Sequence, residues 1–143
     1  AVAGLKRLGL EARVRDTIAA SVSLPAIAQG ILAVEHLRSR EDVAQLFAPL
    51  EDADTAAAAR AERALGLVVE GSCEVPVGAY GTVAAGTLSL EGFIGTPDGG
   101  QLVRDRISGP VADAQKLGEA LGNRLLAAGG RGILDAIARG VRA

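Results

Sequence analysis

From residue 54 onward the hydrophobic period of the sequence changes from helical to alternating and back again. That order leaves few folds open. Asp54 reads as the N-cap of an alanine-rich helix in which Ala58, Ala61, Leu65 and Val68 share one face. Arg60, Glu62 and Arg63 fall on its polar side. Three strand-like segments follow, Val75 to Ala84, Thr87 to Ile94 and Gln101 to Ile107, with Leu88, Leu90 and Val103 marking the alternation. Ala85-Gly86 and the run Thr96 to Gly100 supply turns, so the strands read as an antiparallel meander. After Pro110 the spacing of Val111, Ala114, Leu117, Leu121 and Leu125 predicts a long helix. Gly129-Gly130 break it, and Ile133, Leu134 and Ile137 mark a short last helix. The unit is helix, three-stranded antiparallel sheet, helix: an α+β fold whose layers bury one another's apolar faces.

The first 53 residues carry weaker patterns. Leu5, Leu8, Val14 and Ile18 are loosely helical and interrupted by Gly9, which predicts a helix to about Leu8 and a second short one from about Glu11. Lys6, Arg7, Arg13 and Arg15 make this stretch basic. Pro25 and Gly30 punctuate a crossing segment, and Ile31 to Val34 has the length of a buried strand. Ser39 to Leu50 reads as a helix capped by Ser39, with Val43, Leu46 and Phe47 as its apolar stripe. The polar LEDAD that follows marks a domain boundary. His36, the only histidine, sits in the charged run HLRSRED and reads as a surface residue.

Composition narrows the function classes. Only two Phe and one Tyr accompany 49% hydrophobic content, so the core must be built from Ala, Leu, Val and Ile. No apolar run approaches the roughly 18 residues of a membrane span, so no membrane partner is expected. The net charge of −2 and pI near 5.4 lack the basic footprint of nucleic-acid binding. One cysteine cannot form an internal disulfide, which fits a reducing, cytoplasmic compartment. No metal site is expected. The chain has no methionine and opens directly in helix-like residues without a cap, which reads as a fragment of a longer protein.

The single cysteine, Cys73, lies in EGSCEVPVGAY, where Gly71, Ser72 and Pro76 make a defined loop between helix and strand. On its own such a cysteine is either a small packing residue or a reactive thiol. The longer stretch AERALGLVVEGSCEVPVGAYG resembles the C-terminal signature of the porphobilinogen deaminase (hydroxymethylbilane synthase) family. KRLGL and, further on, SLPAIAQG resemble the same family in the same order, so the resemblance covers almost the whole chain.

The resemblance implies a C-terminal α+β domain preceded by a fragment of the α/β, periplasmic-binding-protein-like domains that form a cofactor cleft. Residues 1–24 would end the second α/β domain, 25–52 would return to the first, and 53–143 would form the C-terminal domain. It implies a dipyrromethane cofactor joined to Cys73 by a thioether, with Gln29 and Gly30 beside it. Arg7 would meet the carboxylates of substrate or cofactor, a task for which a planar, bidentate guanidinium is suited. The implied reaction condenses four porphobilinogens into hydroxymethylbilane with release of ammonia, a step of haem and tetrapyrrole synthesis. The partners are then porphobilinogen, the growing oligopyrrole and the missing N-terminal domains. The family's acid/base aspartate lies upstream of residue 1; Glu35, Glu62 and Glu70 do not match it, so no catalytic residue is expected here and the chain alone is expected to be inactive. Ala28 stands where the family has glycine, and its Cβ opposes a positive φ. Ser72, Glu74 and Val68-Val69 are further departures.

Two other functions share parts of this pattern. The helix, three strands, helix order also occurs in RNA-binding modules, which need a basic cluster at the start of the last helix. Here VADAQKLGEA supplies only Lys116 and two acids. A catalytically inactive relative would keep the same residues, because those that decide activity lie upstream.

Overall fold

The computed structural model describes residues 2–69 and 75–140. Helix α3 (Ala53–Val69) leads to strands β1 (Val77–Ala84), β2 (Thr87–Gly95) and β3 (Leu102–Pro110), which pair antiparallel in the order β1-β2-β3. Helices α4 (Ala114–Leu125) and α5 (Arg131–Ala138) complete an α+β unit. The third strand runs three residues further than the alternation predicts, to Pro110, which pairs with Thr87. Val75 and Pro76 precede β1 instead of opening it.

The sheet has one covered and one open face. Leu88, Leu90 and Ile94 of β2 are fully buried and meet Leu65 and Val69 of α3 and Leu121 and Leu125 of α4. Burying these aliphatic side chains, each worth about 2 kcal/mol, supplies the main driving force for the unit. Helices α3 and α4 approach closely because Gly118 sits against Ala61 and Ala64. Between α4 and α5 the chain kinks at Gly129, whose φ of 117° only glycine adopts readily.

Several expectations need correction. Asp52, not Asp54, caps α3: its Oδ1 accepts the Thr55 amide at 2.7 Å. Glu62 is not on the polar side; it is 4% exposed. The second short helix near Glu11 is a single 3-10 turn, Glu11–Arg13, after α1 (Val2–Arg7). Helix α2 spans Glu41–Phe47 without a side-chain cap from Ser39, since Arg40 occupies the N-cap position and pairs with Asp42. Ile31 to Val34 forms no strand, and Leu32 is 99% exposed. An extended segment becomes a strand only when a neighbouring segment takes its amides and carbonyls; among the described residues the Ile31 amide bonds only within the turn, to the Ala28 carbonyl. Leu46 and Leu50 are likewise exposed, whereas Val43 and Phe47 of the α2 stripe are half-buried.

Candidate functional site

The crossing segment folds into a tight turn against the edge of β1. Leu24 is buried, and Ala26 forms an isolated antiparallel bridge with Gly78. The Gln29 amide donates to the Ala26 carbonyl at 3.0 Å, and Gln29 Oε1 accepts the Ala26 amide at 3.2 Å. Two left-handed residues reverse the chain, Ala28 at φ 57° and Gly30 at φ 86°. The positive φ that a Cβ opposes is thus present at Ala28. A side chain at Gly78 would collide with Phe93 and the Pro25 carbonyl, so glycine there lets the turn close on the strand.

Glu62 ties this turn to the C-terminal unit. Its Oε2 accepts the Ala28 amide at 2.7 Å and its Oε1 accepts the Gly81 amide at 2.8 Å. Burial pushes the carboxyl above the ordinary glutamate range, while the bonds from Gly81 and Ala28 pull it back. The side chain escapes a reading by composition because it lies between Arg60 and Arg63. Its spacing offered the signal: Ala58, Glu62, Leu65 and Val69 fall on the buried face at helical intervals.

A second clamp stands on the open face of the sheet. Arg104 Nε donates to Glu91 Oε1 at 2.6 Å, and its Nη2 reaches the Ser21 carbonyl at 3.1 Å. Asp105, the next residue, points to the helix side and pairs with Arg124 of α4. The pleat therefore puts Arg104 opposite the helices.

The turn, the start of α3 and the edge of β1 enclose a cleft of about 380 Å³ lined by Gln29, Gly30, Asp54, Glu62, Tyr80 and Thr82, among others. Nothing stands within 4 Å of the position a Cβ would take on Gly30, so its backbone is open to close approach by a flat group. The structure therefore brings Gln29 and Gly30 together on one cleft. Arg7, exposed at the end of α1, does not line it and forms no ion pair among the described residues. Cys73 lies outside the described residues. Both ends of its connection are fixed: Val69 is fully buried, and the Pro76 carbonyl accepts the Gly95 amide at 2.9 Å. The open backbone at Gly30 leaves room for a flat ring such as a pyrrole, while the Gln29 backbone amide and Oε1 are both engaged with Ala26. Counter-charge for pyrrole carboxylates is absent from this wall, which carries Asp54 and Glu62 instead.

Comparison with known proteins agrees with the motifs. Residues 56–127 match the family model described as porphobilinogen deaminase, C-terminal domain. Residues 1–45 match the one described as porphobilinogen deaminase, dipyromethane cofactor binding domain. A protein named porphobilinogen deaminase from Trichlorobacter lovleyi is 52% identical over 135 residues, covering 94% of this chain and 43% of its own length. One of the same name from Thiobacillus denitrificans is 46% identical over 137 residues, covering 96% of this chain and 45% of its own length. The chain thus spans less than half the length of these curated relatives. With both family models matched in order and similarity along nearly its full length, the chain belongs to the porphobilinogen deaminase family.

Proposed function

We propose that this chain is the C-terminal part of an enzyme that condenses four porphobilinogens into hydroxymethylbilane with release of ammonia, in a reducing, cytoplasmic compartment. A dipyrromethane group, joined by a thioether to Cys73, would serve as the primer on which the tetrapyrrole grows. In this role Cys73 is an anchor and needs no activated thiolate during turnover. The observation that carries the reading is the docking of the Gln29–Gly30 turn on the same unit whose α3–β1 connection contains Cys73. Gln29 and Gly30 would border the bound group, and Arg7 would pair with a pyrrole carboxylate.

The division at residues 24 and 52 belongs to the same proposal. Residues 1–52 would complete two α/β domains supplied by the rest of the protein. Leu32, Val34, Leu46 and Leu50, all exposed, are the side chains those domains would cover. The acid/base aspartate belongs to that upstream part, so the 143-residue chain is expected to produce no hydroxymethylbilane. Joined to the upstream half of the Thiobacillus denitrificans relative, it is expected to produce hydroxymethylbilane, and the Cys73→Ser form is not. A folded chimera without activity, or with activity independent of Cys73, contradicts the proposal.

A further inference from the structure

We infer that Glu62 is a positioning residue whose one carboxylate locks the Ala26–Gly30 turn onto the edge of β1 and so sets where Gln29 and Gly30 stand. The two amides it accepts come from distant parts of the chain, 34 residues before it and 19 after it. Neither amide has another partner within its own element. The turn uses the amides of Gln29 and Ile31, bonded to Ala26 and Ala28, and leaves that of Ala28 free. On β1, the bond from Gly95 to Pro76 puts the even-numbered residues in the closely bonded pairs with β2. The Gly81 amide therefore points away from the sheet, where an edge strand would otherwise be left open.

Each carboxylate oxygen takes one of the two donors, and a Gln side chain in the same place would turn its NH₂ toward one of those amides. The left-handed Ala28 strengthens the inference. A non-glycine residue keeps such a conformation only where its surroundings over-determine it, and the bond to Glu62 is made by that same residue. The strap is held independently by Arg104 at Ser21 and by the bridge between Ala26 and Gly78. Loss of Glu62 should thus free the turn without detaching the whole segment.

That Gln29 and Gly30 border a cofactor rests on the function proposed above; the lock itself does not, and its test uses the 143-residue chain without any cofactor. In the unaltered chain, the amide protons of Ala28 and Gly81 should shift together along the titration of the Glu62 carboxyl, followed by NMR. Asp54 of α3 and Tyr80 of β1 are the other titratable groups on the cleft, so Asp54→Asn and Tyr80→Phe serve as controls that leave the response in place. In Glu62→Gln, amide exchange at Ala28 should accelerate at least tenfold while the amides of Leu90 and Ile94 keep their protection. A Gly81 shift without an Ala28 shift, or unchanged Ala28 exchange in a folded Glu62→Gln, overturns the inference. Should that variant fail to fold, the titration of the unaltered chain still decides. An absent adduct on Cys73 would refute the proposed function and leave this result untouched.

Discussion

Gly118 on α4 lies against the Ala61 carbonyl oxygen of α3, with no room for a Cβ between them. The contact sets the distance between the two helices that cover the sheet. Gly118→Ala should force them apart and cost about 1–3 kcal/mol, the range for overpacking a tight interior. Gly132→Ala, on α5 with nothing within 4 Å of its Cβ position, should instead add about 0.5–1 kcal/mol through helix propensity. Urea denaturation of the two variants checks both signs.

Ala28 and Gly30 make a second pair of opposite expectations. Ala28→Gly removes the penalty of a left-handed alanine, about 1–2 kcal/mol, and returns part of it as unfolded-state entropy. A net gain of about 0.5–1 kcal/mol is expected. Gly30→Ala introduces that strain at φ 86° and should lose about 1 kcal/mol even though the space around it is open. Equal stabilities for the two variants would contradict the turn geometry.

The stability of the unit should depend on pH through Glu62. Burial holds its folded pKa above the ordinary value of 4.5, with the two amide bonds opposing the shift. A raised folded value means that the folded chain binds the proton more readily than the unfolded one. Its contribution is fully present below the unfolded pKa and is lost as pH rises through the folded one. The stability advantage of the unaltered chain over Glu62→Gln should therefore be larger in acid than at neutral pH. An advantage that grows toward neutral pH would mean the carboxyl is held below its ordinary range.

Most of the unit from Ala53 to Ala138 was legible because each element carries its own period and each connection its own turn residues. Leu88 and Leu90 declare a strand face, and Ala85-Gly86 declares the reversal. Glu62 and Arg104 were not legible as clamps. Their partners are backbone groups 34 and 83 residues away, and no local pattern records a long-range backbone bond. Ile31 to Val34 misled for a related reason: its composition suits a strand, but strand formation depends on a neighbour outside the segment. Cys73 gained meaning only through motif resemblance, since a lone thiol has no periodicity to read.

Leu32 tests the exposed apolar side chains of residues 1–52. Because it is 99% exposed, Leu32→Asp should change the stability of the 143-residue chain by no more than about 0.5 kcal/mol. The same change should weaken binding of a separately supplied upstream half from the Thiobacillus denitrificans relative, measured by calorimetry. Unaltered binding would place that interface elsewhere.

Cofactor attachment is the most direct test of the account. The chain, joined to that upstream half and produced in a host that makes dipyrromethane, should show by intact-mass spectrometry one added dipyrromethane. Peptide mapping should locate it on Cys73, and Cys73→Ser should lack it. A folded chimera with unmodified Cys73, or with the added mass on another residue, would contradict the account.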